Sequence, residues 1–273
     1  MGEGPVVLVT GGSSGIGRAC VENLARTGYR VFSGSRSTPM GLLDGQDGVR
    51  GLPMDVHEAE SVDRAVAELL AEAGRLDAVV NCAGFGIGGA IEDTSIEEAK
   101  RQFETNLFGT MRVCQATLPV LRKQRSGRVV NVSSIAGRIA VPFQGLYTAA
   151  KFAIEGLTEA LRMEVRPFGI HVSLIEPGDF NTGFTEARER VADRTDGAYA
   201  DRTVRAMEAA ESDERNGHHP ERVARLLLRI LSCRRPRLRY TVGPMSQRLA
   251  AMGKPFLPPG LTEREVMKHY NVQ

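Results

Sequence analysis

The apolar run Pro5-Val-Val-Leu-Val9 leads into a glycine-spaced turn, Thr10-Gly11-Gly-Ser-Ser-Gly15-Ile-Gly17, and then into a helical pattern, Arg18-Ala-Cys-Val-Glu-Asn-Leu-Ala-Arg26. A buried strand, a tight turn and a helix start in that order restrict the chain to few folds. Gly11 permits the turn, Gly15 allows backbone to approach a pyrophosphate closely, and Gly17 lets helix and strand pack. The phosphates would then sit at the positive end of the helix, with Ser13, Ser14 and Ile16 completing the loop. Glycine supplies 30 of 273 residues, so three glycines at fixed offsets arise by chance roughly 0.4 times per chain. What gives the triplet weight is its place, in the first strand-to-helix turn.

The rest of the chain repeats the same rhythm. Strands are predicted near 5–10, 29–33, 49–55, 76–82, 127–133, 170–176 and 237–242, and helices over 16–27, 58–73, 96–123, 147–166 and 220–232. Uninterrupted apolar strands such as Ala78-Val-Val80 suit a parallel sheet covered on both faces. The predicted fold is α/β: one doubly wound Rossmann-type domain over 1–273, with a mostly parallel seven-stranded sheet and helices on both faces. Residues 1–135 would form the cofactor half, and 136–273 the catalytic helix and a substrate lid. Two stretches break the rhythm. Residues 37–48 are too rich in turn formers for a full helix, so the second crossover should be short. The charged, helix-prone stretch 179–217 follows a strand end at Glu176-Pro177-Gly178 and could close over a ligand, or be a surface excursion.

A second signal is Tyr147-Thr-Ala-Ala-Lys151, preceded by Ser134 in Asn131-Val-Ser-Ser134. On a helix, positions i and i+4 share a face. Unit charges about 4 Å apart at an effective dielectric near 20 interact by roughly 4 kcal/mol. A lysine there is therefore expected to lower the phenol pKa by roughly 3 units, into the range where Tyr147 exchanges protons near pH 7. Chance supplies this spacing roughly 0.1 times per chain, so the pair alone could equally mark a half-buried Tyr beside a solvated Lys.

Composition excludes several classes. A formal net charge of +2 gives no reason to expect nucleic acid. No run reaches the apolar length of a membrane span, Gly2 is not followed by the Ser or Thr of a myristoylation motif, and no signal core is present, so a cytoplasmic location is expected. Four scattered cysteines and five histidines lack metal-ligand spacing; the cysteines read as reduced core residues, and no metal is predicted.

Together with Asp55-Val56, Asn81-Cys-Ala-Gly84, Asn106 and Pro177-Gly-Asp-Phe-Asn-Thr182, these motifs resemble the short-chain dehydrogenase/reductase family in order and spacing across nearly the whole chain. Val141-Pro-Phe143, Lys151-Phe-Ala-Ile-Glu-Gly156 and Pro236-Arg-Leu-Arg-Tyr240 resemble the branch containing estradiol 17-beta-dehydrogenase and photoreceptor retinol dehydrogenase, with its bacterial relatives. Cys82 stands where that family usually has a second Asn.

The resemblance implies that Tyr147 is the acid or base at the reacting oxygen and that Lys151 lowers its pKa and holds the nicotinamide ribose. Ser134 would hydrogen-bond the substrate oxygen, and Asn106 would position a water relaying protons toward Lys151. Asp55, Val56, Asn81, Ala83, Gly84, Pro177, Gly178 and Thr182 would border the cofactor. Phe85, Val141, Phe143, Phe180 and Phe184 would wall an apolar pocket for a ketone, aldehyde or alcohol that is steroid-, retinoid- or acyl-like. A homodimer or homotetramer through helices near 96–123 and 147–166 is implied as well.

Cofactor choice rests on the end of the second strand, where Ser35 and Arg36 stand in place of a carboxylate. A guanidinium can fork onto a 2′-phosphate, and Ser13 could add a hydroxyl contact, so NADP(H) is favoured over NAD(H). A redox-inactive NADP(H)-binding sensor or scaffold has the same fold, but it need not keep the Asn106, Ser134, Tyr147 and Lys151 set. An NAD-dependent alcohol dehydrogenase is the nearer alternative.

Overall fold

The computed structural model describes residues 4–36 and 48–273; the readings for Gly2 and for the turn-rich stretch 37–47 fall outside them. Seven parallel strands form the sheet: β1 (Val6–Thr10), β2 (Arg30–Ser35), β3 (Val49–Pro53), β4 (Ala78–Asn81), β5 (Gly127–Val132), β6 (Ile170–Pro177) and β7 (Arg239–Val242), in the order β3-β2-β1-β4-β5-β6-β7. This is the doubly wound arrangement expected. The order reverses between β1 and β4, the point where such sheets open a crevice at the carboxyl ends of their strands.

Strand β1 shows why its sequence is apolar throughout. Val6 and Leu8 face one core together with Phe32, Leu52, Val79, Val129 and Val172. Val7 and Val9 face the other with Val31, Ala78, Val80, Val130 and Ile175. Successive side chains of a strand point to opposite faces, so a sheet buried on both sides must be apolar at every position. Helices α2 (Ala59–Ala73), α4 (Thr110–Gln124) and α5 (Gly145–Val165) cover the first face through Leu69, Leu121 and Leu161. Helices α1 (Gly15–Arg26) and α7 (Glu221–Ser232) cover the second through Leu24 and Leu227.

The predicted helix over 96–123 is not continuous. Helix α3 (Ile96–Phe103), started by a capping box between Ser95 and Glu98, runs into a π-helical turn over Glu104–Gly109 before α4 begins. The lid stretch folds as a single turn, Phe184–Ala187, a two-residue bridge of Glu189–Arg190 to Ile87–Gly88, and helix α6 (Ala200–Arg215). Beyond β7 the chain adds α8 (Met245–Gly253) and α9 (Pro259–His269), which the apolar periodicity did not single out. Among the described residues no helix is long and apolar enough to cross a membrane.

Candidate active site

At the carboxyl edge of the sheet lies one cavity of about 960 Å³, running from the glycine turn to Tyr147 and on to α6, α8 and α9. The turn is built so that nothing but glycine fits. A Cβ on Gly11, whose φ is +67°, would lie 2.8 Å from the Ala83 Cα, and one on Gly17 would lie 2.2 Å from the Gly11 carbonyl oxygen. Thr10 secures the neighbouring strand end: its Oγ1 accepts from the Cys82 and Ala83 amides at 3.1 and 3.2 Å. Helix α1 starts at the cavity with no side-chain cap on Ser14 and no acidic residue in its first turn. Its free N–H groups and positive dipole end are thus available to an anion. Ser13, Ser14, Gly15, Ile16, Ser35, Arg36, Asp55, Val56, Ala83, Gly84, Pro177, Gly178 and Thr182 all border the same space. The loop that admits no Cβ and the uncapped helix end suit a dinucleotide pyrophosphate.

Ser134, Tyr147 and Lys151 meet at the other end. Tyr147 on α5 stands beside Ser134, which hydrogen-bonds it and follows the end of β5. Ser134 Oγ also accepts from the Ala136 amide at 3.0 Å. Phe184 lies against the phenol ring, centroids 5.5 Å apart. Lys151 is buried, its Nζ donating to the Val132 carbonyl at 3.0 Å and lying 5.6 Å from the centre of the Tyr147 ring.

The expected lowering of the phenol pKa is not what this geometry gives. Burial pushes Tyr147 up to about 12; hydrogen bonding from Ser134 opposes this, and the Glu214 carboxylate adds to it. The ammonium is tied to a carbonyl over the ring, and burial brings its own pKa down to about 8. At neutral pH the phenol holds its proton.

Two other readings are corrected, and a third residue is found in its own setting. Asn81 does not border the cavity: at the end of β4 its Nδ2 donates to Asn131 Oδ1 at 2.8 Å, and the residue is buried inside the sheet. Phe143 has a φ of +59°, which turns its side chain away to pack with Ala206, Met207 and Tyr199. Asn106 sits in the π-helical turn, and both ends of its amide are used by Phe85: Nδ2 donates to the carbonyl at 3.0 Å, and Oδ1 accepts from the amide at 3.1 Å. Its side chain thus holds the Phe85 backbone in place. Phe85, Val141, Phe180 and Phe184 do line the cavity. Asp55 combines two roles: it borders the cavity while its Oδ1 accepts from the His57 amide at 2.9 Å, as a strand-end cap does.

Sequence reasoning missed Gln144, Asp179, Glu214 and the α8–α9 residues Gln247, Leu257, Leu261, Val266 and Tyr270, all of which border the cavity. Gln144 could have been found, since it stands three residues before Tyr147 at the start of the same helix.

Comparison with known proteins agrees with this geometry. The short chain dehydrogenase family model matches residues 5–192. A 3-ketodihydrosphingosine reductase of Bacteroides thetaiotaomicron is 41% identical over 271 residues, 98% of each chain. Human 17-beta-hydroxysteroid dehydrogenase type 1 is 35% identical over 86% of this chain and 76% of its own. A short-chain dehydrogenase from Streptomyces avermitilis superimposes with a TM-score of 0.84 at 31% identity, over 98% of this chain and 97% of that one. This chain belongs to the short-chain dehydrogenase family, as an oxidoreductase of CH–OH and C=O groups that works with a nicotinamide cofactor.

Proposed function

We propose that the protein is an NADP(H)-dependent reductase of a ketone on a long, largely apolar substrate, and that Ser134, Tyr147 and Lys151 serve the reaction with Asn106 as their support. The observation that carries this reading is the Tyr147 phenol, hydrogen-bonded to Ser134, in the same cavity as the glycine turn. Nicotinamide supplies a hydride when bound. Negative charge then develops on the substrate oxygen, where Ser134 can donate a hydrogen bond and Tyr147 a proton. Lys151, whose Nζ donates to the Val132 carbonyl, would hold the ribose and keep a positive charge near the phenol. A phenol that keeps its proton at pH 7 favours reduction over alcohol oxidation.

The substrate reading rests on the apolar wall, with Leu257, Leu261 and Val266 from α9 and its approach joining Phe85, Val141, Phe180 and Phe184. It also rests on likeness to a relative named for a long-chain ketone along nearly the full length of both chains. The preference for NADP(H) rests on Ser35 and Arg36 at the end of β2. We further read the protein as a single domain, forming homo-oligomers and working in the cytoplasm. Exposed Phe108, Phe152 and Met163 on the segments expected to pair, and four cysteines without disulfides, support this.

Dissociation constants for NADPH and NADH, taken by fluorescence titration on the wild type and Arg36→Ala, test the cofactor assignment. The wild type should bind NADPH at least about tenfold more tightly, and the variant should lose most of that margin. Equal binding of both by the wild type contradicts it. NADPH oxidation with chain-length-matched ketones tests the rest.

A further inference from the structure

Helix α8 divides its side chains between two surroundings. Ser246, Gln247 and Ala250 border the cavity, and Ala251 is buried. Met245, Leu249 and Met252 stand at i, i+4 and i+7, which places them in one stripe on the opposite side of the helix. They are 61, 60 and 62% exposed, and Phe256, in the turn that follows, is 88% exposed. Apolar side chains exposed singly are ordinary, but four large ones aligned on so short a stretch form a patch that calls for a partner.

The surroundings of the stripe identify that partner. From Phe256 the chain passes to Leu257 and, in the first turn of α9, to Leu261, both part exposed and both lining the cavity. An apolar path therefore runs from the outer surface to the place where an apolar substrate would bind. The same stretch lacks negative charge. No Asp or Glu occurs between Glu221 and Glu263, where the average composition of the chain would put about five. The charges on α8 and its following turn are those of Arg248 and of Lys254, whose ammonium donates to the neutral Arg138 carbonyl.

A second copy of the chain fits this face poorly. Four side chains over about three helical turns offer less than the roughly 800 Å² a side that a stable interface buries. A two-fold contact would also set Arg248 and Lys254 against their own counterparts, with no carboxylate in the segment to answer them. A lipid surface meets both features, since its acyl boundary accepts the stripe and anionic headgroups attract the two cations.

Resting on the reductase reading, we propose that α8 and the turn after it lie on the surface of an anionic lipid bilayer. Met245, Leu249, Met252 and Phe256 enter the acyl boundary, and Arg248 and Lys254 meet the headgroups. The chain rests on the membrane without crossing it. An apolar ketone then leaves the bilayer along Leu257 and Leu261 and reaches Tyr147 without passing through water.

The test is flotation of the purified protein with vesicles of phosphatidylcholine alone, and with vesicles containing about a third phosphatidylglycerol. It uses the wild type, Leu249→Glu and Phe256→Glu, none of them altered in the cavity, and light scattering gives the mass of each without lipid. The wild type should bind the anionic vesicles at least about tenfold more tightly than the neutral ones, and each variant should lose about tenfold or more of that binding. NADPH affinity and mass should not change. A wild type that stays free of the anionic vesicles overturns the inference, as do equal binding to both vesicle types and variants that bind like the wild type. A variant of smaller mass than the wild type overturns it too, and gives the face to a second copy. All these outcomes leave the reductase reading standing. A wild type that binds the anionic vesicles yet oxidises no NADPH with long-chain ketones dissolved in them contradicts the reductase reading and keeps the docking surface.

Discussion

Tyr147 has a pKa set by a contest between burial and its neighbours, and burial wins. The charge on Lys151 is directed at a carbonyl, Glu214 and Asp179 oppose ionisation, and Ser134 offsets only part of the rise. Since the phenol is protonated well above neutrality, the form needed to donate a proton is present below its pKa of about 12 and lost above it. The form needed to accept one follows the opposite course. Reduction is therefore expected to stay level between about pH 6 and pH 7.5, while oxidation of the product alcohol rises by up to about tenfold per pH unit through the same range. Initial rates in both directions on one buffer series check this. Oxidation that is already level at pH 7 would mean a phenol ionised far more easily than this environment allows.

Helix α3 is set by local chemistry away from the cavity, and it offers a clean test of element stability. Ser95 accepts from the Glu98 amide at 3.2 Å while Glu98 accepts from the Ser95 amide at 2.7 Å, satisfying donors that the first turn leaves free. Ser95→Ala is expected to cost about 1 kcal/mol, read as a lower urea midpoint with an unchanged slope and unchanged kcat/KM. The strand runs, the glycine turn and the α5 spacing follow from period and residue type, which is why the parallel seven-stranded sheet and the helix carrying Tyr147 and Lys151 emerge as expected. What was not legible depends on context. The +59° φ of Phe143 reverses a side chain that looked pocket-bound. The π-helical turn hands the Asn106 amide to Phe85. Helix α8 leaves Met245, Leu249 and Met252 well exposed and α9 leaves Leu261 so, which denies both the clean apolar face that periodicity detects.

Across the whole molecule the cavity joins two halves of different origin. Its cofactor end is made by the strand ends of the sheet, rigid and legible from glycine spacing. Its substrate end is assembled from α6, α8 and α9, where polar Asp179, Glu214 and Gln247 meet apolar Leu257 and Val266. The shared chemistry of the family resides in the first part, and the individuality of this chain in the second. The reductase reading requires both ends to act on one molecule at once. Its most direct test is single-turnover oxidation of NADPH by purified protein with 3-ketodihydrosphingosine, run beside Tyr147→Phe. The wild type should consume NADPH in step with alcohol formation. The variant should bind NADPH normally but react about 10² to 10⁴ times more slowly. A variant as fast as the wild type would show that the proton comes from elsewhere and would contradict the central role given to Tyr147.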